Sequence, residues 1–143
     1  MTQTCACPGF SAATHILHMA ARAGLSKVIV AALEEGADIK AREYDERCPD
    51  TGYDALALAT YFGHLNAVRV LTAFGADHDV LVEKGTTLLI VAALQGHTKI
   101  GEYLISLGLP IDVVDGDGDS ALSVAKRGNH KEFIAMLEKH MKR

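Results

Sequence analysis

The sequence of 143 residues contains no tryptophan and only three prolines and three cysteines, and aromatic residues make up 6% of it. Its hydrophobic content of 49% therefore implies a core of alanine, leucine, isoleucine and valine rather than of large rings. The formal net charge of −4 gives no basis for a general affinity for nucleic acid, which requires a basic surface. An odd number of cysteines favours a reducing compartment over a disulfide framework.

Long hydrophobic runs are also missing. The longest unbroken apolar run, from Leu88 to Leu94, has seven residues, whereas a membrane-spanning helix requires roughly 20. Residues 1–8 contain neither a basic region nor an apolar stretch, so they do not form a secretory signal. We therefore expect a cytoplasmic protein of one domain without a membrane partner.

The residues that are present recur with a fixed period. Glycines repeat with a step of 33 residues, and Asn129 stands where the last glycine of the series is due. A further copy upstream, which contains Gly24, is offset by 39 residues from Gly63. Six additional residues must therefore lie between Arg42 and Tyr53. The same 33-residue step links three histidines: His64, His97 and His130.

Each copy predicts a pair of helices. A short segment with one leucine and two small residues is followed by a longer one with apolar residues at i, i+1, i+4 and i+5, which is helical spacing. Glycine, the residue best suited to the left-handed end of a helix, follows three of the second segments: Gly36, Gly75 and Gly108. Side chains that can cap a helix N-terminus precede three of the first segments: Asp54, Thr87 and Ser120.

These units resemble the ankyrin repeat, whose pattern is close to T-P-L-H-x-A-A-x-x-G-H and ends in G-A-D. The first copy reads His-Ile-Leu-His-Met-Ala-Ala-Arg-Ala-Gly from His15, and later copies keep Gly63-His64 and Gly96-His97. No copy retains the T-P pair. The resemblance covers residues 15–141, and it implies an all-α ankyrin-repeat solenoid of four helix-turn-helix repeats with β-hairpin-like connections.

We place the four repeats at residues 15–47, 54–86, 87–119 and 120–143. In the last repeat Lys126 and Glu138 occupy positions that are small or apolar in other copies, as expected of a terminal repeat with a polar outer face. At the opposite end, apolar side chains are expected to face outward: Ile16, Met19 and Leu25. We expect residues 1–14, which include Phe10, to pack on or near the first repeat.

The resemblance also implies a binding site, because the first helices and hairpin tips of ankyrin repeats line a concave groove for a partner protein. The two residues before each Gly-His turn usually point into this groove, and large rings with arginine are typical of binding hot spots. Tyr53, at the foot of the enlarged first hairpin, extends this patch, and Phe62 has the alternative of packing between repeats. The predicted partner-binding residues are Arg22, Tyr53, Tyr61, Phe62, Leu94 and Gln95.

Two patterns of potential chemistry have structural explanations, and a third supports a different function. The histidines, one repeat or about 10 Å apart, are too far from one another to bind one metal ion at ~2 Å, and are expected to bond to the backbone of the turns. The acidic run from Asp112 to Asp119 lacks the glycine and glutamate of a calcium loop and fits a solvated turn. Cys48, with nearby histidines on the enlarged first hairpin, supports the alternative of a small enzyme or metal-binding protein.

The favoured hypothesis is therefore a protein-protein interaction module, an adaptor or inhibitor, which acts as a monomer. We expect it to have no catalytic residues, no metal and no cofactor.

Overall fold

The computed structural model describes residues 12–40, 53–76 and 85–141, which form four consecutive helix pairs. This described part of the chain contains eight helices and no β-strand, so the prediction of an all-α fold with four repeats is confirmed. None of these helices is both long enough and apolar enough to span a bilayer. The helices are α1 (Ala12–Ala23), α2 (Ser26–Glu34), α3 (Ala55–Phe62), α4 (Leu65–Ala73), α5 (Leu88–Gln95), α6 (Thr98–Ser106), α7 (Ala121–Arg127) and α8 (Lys131–Met141).

The chain divides into two compact units, Met1–Asp77 and His78–Arg143, each with two repeats. In the first unit α1 packs on α3 and α2 packs on α4, so the first helices form one layer and the second helices another. In the second unit α5 packs on α7 and α6 packs on α8 in the same way. Most of the connections between repeats 1 and 2 and between repeats 2 and 3 lie outside the described residues, at 41–52 and 77–84.

The first helices are buried because their residues are small or aliphatic. In α3 the six residues from Ala55 to Thr60 are all buried, and in α5 the six from Leu88 to Ala93 are. The polar exception, Thr60, donates its hydroxyl to the carbonyl of Leu56 at 2.8 Å, so its burial leaves no unmet donor.

The predicted N-caps are confirmed. Asp54 accepts a hydrogen bond from the amide of Ala57 at 2.8 Å, and Thr87 accepts one from Ile90 at 3.3 Å. Ser120 and Ser123 form a reciprocal capping box, in which each hydroxyl accepts from the other residue's amide. These bonds satisfy amides that the first turn of a helix leaves without a partner.

The first repeat starts differently from the others. Helix α1 begins at Ala12, so the repeat boundary that we predicted at residue 15 falls inside the helix. Thr14 is buried and its hydroxyl accepts a hydrogen bond from the amide of Asp38 at 2.9 Å, which ties the end of the repeat to its beginning. The rest of the predicted N-terminal segment, residues 1–11, lies outside the described residues.

Left-handed residues end the helices where the sequence predicted them. The φ angles of Gly36, Gly75 and Gly108 lie between 95° and 100°. In the turn between α7 and α8, Asn129 has a φ of 59° and replaces the left-handed glycine found at the equivalent Gly96. Asparagine is among the few other residues that tolerate this conformation.

The outer face of the fourth repeat is polar, as predicted. Lys126 and Glu138 are both exposed, whereas the equivalent of Lys126 in the third repeat, Ala93, is fully buried. A charged residue at this position is compatible with the described structure only because α7 is the last of the first helices in it.

Candidate protein-binding surfaces

Two histidines, each directly before the second helix of its repeat, form a hydrogen bond with the backbone of the preceding repeat. The Nε2 of His64 lies 2.8 Å from the carbonyl oxygen of Arg22, and the Nε2 of His130 lies 3.2 Å from that of Leu94. The bonded residues are 42 and 36 positions apart, and the difference of six is the length of the inserted segment. The predicted backbone role of these two histidines and the predicted register of the insertion are therefore confirmed.

Glycine in the preceding turn makes room for each of these rings. A Cβ atom at Gly24 would lie 2.5 Å from Nδ1 of His64, and one at Gly96 would lie 2.5 Å from Nδ1 of His130. Both glycines also have a positive φ, which other residues adopt at a cost. The bond fixes the end of each first helix, where the candidate site residues are found.

Three aromatic residues lie in contact along α3, and we call Tyr53, Tyr61 and Phe62 the aromatic cluster. The ring centroids of Tyr53 and Tyr61 are 5.9 Å apart, and those of Tyr61 and Phe62 are 5.1 Å apart. The interplanar angles of 88° and 73° are edge-to-face arrangements, which are favourable beyond the area that they bury.

The three rings of the aromatic cluster differ in how far they are exposed to solvent. Phe62, for which packing between repeats was an alternative, is 46% exposed, whereas Tyr61 is half-buried between its two neighbours. Tyr53 is also half-buried. Tyr61 therefore supports the exposed ring of Phe62 and is not itself a fully exposed surface residue.

Arg22 lies beside this cluster in the first unit. It occupies the position in α1 that Tyr61 occupies in α3, and the two helices pack on one another. Its side chain is exposed, and its carbonyl is held by His64, two residues beyond Phe62. An exposed arginine and an exposed aromatic residue thus lie at the same end of adjacent first helices.

The second unit presents its own surface at the end of α5. Leu94 and Gln95 are both exposed there, and the carbonyl of Leu94 accepts the hydrogen bond from His130. In the same unit Arg127 pairs with Asp119, and Val114 is exposed in the connection between α6 and α7. Sequence reasoning missed Val114 as a surface residue, although its place in the predicted solvated turn was a signal.

The acidic connection is held together as a turn. The carboxylate of Asp115 accepts hydrogen bonds from the amides of Asp117 and Asp119, both at 2.9 Å. Among residues 12–40, 53–76 and 85–141, no group of three or more His, Cys, Asp or Glu side chains is arranged to hold a metal ion. Cys48 and the other two cysteines lie outside these ranges, so their role is not described by the structure.

Comparison with known proteins gives consistent matches. A family model of ankyrin repeats (three copies) matches residues 56–142, and the pair α1 and α2 lies upstream of it. Ankyrin repeat domain-containing protein 63 of Mus musculus is 35% identical over 116 residues, which cover 78% of this chain and 28% of the relative. Protein phosphatase 1 regulatory subunit 27 of Homo sapiens is 41% identical over 88 residues, covering 62% of this chain and 56% of the relative.

A third relative, a Caenorhabditis elegans homolog of transient receptor potential cation channel subfamily A member 1, is 32% identical over 123 residues, or 85% of this chain and 10% of the channel. The matched region thus spans from a tenth to just over half of the length of these three relatives. From the family match and the helix pairs in register with it, the chain belongs to the ankyrin-repeat family of protein-interaction modules.

Proposed function

We propose that this chain is a cytoplasmic adaptor or inhibitor that binds a partner protein through the ends of its first helices, on the side that ankyrin repeats use as a concave groove, and through its connecting turns. The aromatic cluster and Arg22 are the principal contact in the first unit. Leu94 and Gln95 provide a further contact in the second unit.

The observation that carries this proposal is the exposed ring of Phe62, held in place by Tyr61. Aromatic residues and arginine are enriched among the residues that contribute most to binding free energy. A ring that is already fixed by a neighbour loses less conformational entropy when a partner covers it. The acidic net charge of the chain favours a protein over a nucleic acid as the partner.

Similarity to a human phosphatase regulatory subunit supports binding rather than catalysis as the activity of this chain. In a regulatory subunit the function lies in the contact with another protein. We therefore propose that the chain modulates the protein it binds, and we assign it no catalytic residues, metal or cofactor.

The test compares two phenylalanines of the same repeat. Phe62 ends α3 and is 46% exposed, and Phe74 caps α4 at the other end of the repeat and is 48% exposed. We expect affinity capture with mass spectrometry to recover proteins that bind wild type and Phe74→Ala but not Phe62→Ala. In titrations with such a partner, Phe62→Ala should cost about 2 kcal/mol or more of binding free energy.

Both substitutions should change the free energy of unfolding by less than about 1 kcal/mol, because both rings are largely exposed. Loss of binding by Phe62→Ala is then not attributable to unfolding. If partners are lost with Phe74→Ala and kept with Phe62→Ala, the binding surface lies on the second helices and the proposal is wrong.

A further inference from the structure

The face of the first repeat that points away from the second repeat is apolar, unlike the polar outer face of the fourth repeat. Ile16 is 47% exposed and Met19 is 54% exposed. Ala12 and Ala23 are exposed on the same helix. The four residues form a stripe along α1, with successive members four, three and four positions apart: Ala12, Ile16, Met19 and Ala23. That spacing is the one with which a helix packs along another helix.

Helix α2 and the turn before it continue this apolar surface. Leu25, Val28 and Ala31 are exposed. We call these three residues and the stripe on α1 the N-terminal face. Exposed charges of opposite sign lie at the two ends of α2, with Lys27 in its first turn and Glu34 at its last residue.

Residues at the equivalent positions of the second and fourth repeats are buried against the preceding repeat. Helices α3 and α4 of the second repeat pack on the repeat before them, and so do α7 and α8 of the fourth. The residues that correspond to Ile16, Met19 and Val28 are buried there: Ala55, Leu58 and Ala67 in the second repeat, and Ala121, Val124 and Phe133 in the fourth. The N-terminal face is therefore a repeat-stacking surface that the described elements leave exposed.

A second copy could bind the N-terminal face through the outer face of its fourth repeat or through its own N-terminal face. Lys126 and Glu138 are exposed on the outer face of the fourth repeat. Head-to-tail stacking would place α7 on α1 and bury the charge of Lys126 against Ile16 and Met19, which is costly. Pairing of two identical faces buries apolar groups on both sides and closes as a dimer.

We propose that the N-terminal face binds the same face of a second copy about a two-fold axis perpendicular to α1. This axis pairs α1 with α1 of the second copy in antiparallel orientation, and α2 likewise. It places Ile16 opposite Met19 of the second copy and Ala12 opposite Ala23, so that large residues meet in the middle and small ones at the ends.

Charge distribution supports this orientation. In the antiparallel pair of α2 helices, Lys27 of each copy lies near Glu34 of the other. In a parallel pair each of these residues would meet its own like charge, which is unfavourable across an interface. The proposal replaces the expectation of a monomer, and it concerns a surface other than the aromatic cluster.

Sedimentation velocity of the full chain at micromolar to near-millimolar concentration tests the proposal. We expect a monomer–dimer equilibrium in the wild type. Met19→Glu should raise the dissociation constant about a hundredfold or more, because each dimer then buries two carboxylates among apolar groups. The control is Met141→Glu, a methionine of similar exposure at the end of α8, which should leave the dimer unchanged.

A charge exchange tests the orientation. Lys27→Glu alone and Glu34→Lys alone should each weaken self-association, and an equimolar mixture of the two variants should form a heterodimer. A double variant with both exchanges should associate as the wild type does. Association of each single variant with itself at wild-type strength would overturn the antiparallel arrangement.

Three further outcomes would overturn the proposal. A wild type that stays monomeric at the highest concentration shows that the face does not pair. A dimer unaffected by Met19→Glu uses another surface. A monomeric wild type whose melting temperature falls sharply with Met19→Glu, but not with Met141→Glu, indicates that the chain's own residues, such as 1–11, cover the face.

Discussion

Gly101 lies in the middle of α6, where alanine would ordinarily stabilise the helix by about 1 kcal/mol. In this chain we expect alanine at position 101 to destabilise the protein instead. A Cβ atom at position 101 would lie 2.7 Å from Cε2 of Phe133 and 2.8 Å from Cε of Met136, both on α8. Carbon atoms in favourable contact are about 3.5–4.0 Å apart, so either these side chains or one of the two helices must shift.

The direction of the net effect depends on whether Phe133 has room to move. Its side chain is fully buried, and it is the largest of the fully buried side chains in the described residues. Met136 is flexible and its terminal methyl group can shift, but a buried ring moves only with its backbone. Overpacking of this kind costs about 1–3 kcal/mol. We expect Gly101→Ala to destabilise the protein by about 1 kcal/mol after the gain in helix propensity is subtracted.

Urea unfolding followed by circular dichroism measures this change. The control is a double-mutant cycle with Phe133→Leu, which removes ring atoms from the contact. In the Phe133→Leu background we expect Gly101→Ala to be neutral or stabilising, so that the two substitutions couple by about 1 kcal/mol or more. Stabilisation of the wild type by Gly101→Ala, or the same effect in both backgrounds, would refute the steric explanation.

Three other predictions concern the turns and caps, and urea unfolding measures each. Asn129→Ala should destabilise the protein by about 1 kcal/mol and Asn129→Gly should not, because only the alanine is strained at positive φ; equal effects would contradict this. His64→Ala and His130→Ala should each cost about 1 kcal/mol through loss of the bond to the preceding repeat, and a neutral His64→Ala would show that the bond contributes nothing. Asp54→Ala should cost about 1 kcal/mol and Asp54→Asn much less, since asparagine also caps helices; a similar loss with both would exclude the cap as the cause.

The repeat architecture could be predicted from the sequence because its determinants are local and periodic. Glycines at a step of 33 residues mark the helix ends, and a capping side chain precedes the first helix in three repeats. The sequence does not mark the start of α1, because His15 stands at the capping position of the first repeat and the helix extends to Ala12.

Details of side-chain packing could not be read from the periodicity. The relative exposure of Tyr61 and Phe62 depends on the contact with Tyr53, which follows the inserted segment and has no counterpart in the other repeats. The contact between Gly101 and Phe133 joins two repeats, and neither residue indicates in the sequence that it contacts the other. Both features depend on tertiary contacts that differ from repeat to repeat, and a periodic pattern contains only what the repeats share.

The bond from His64 to the carbonyl of Arg22 has a consequence for protein engineering. It has the same partners, in repeat register, as the bond from His130 to Leu94, although six more residues separate its two ends. The helical frame thus keeps its register with six additional residues between repeats 1 and 2, and lengthening a flexible segment costs little entropy. We therefore expect this connection to accept new chain termini, a reporter peptide or a grafted epitope while both neighbouring repeats keep their register.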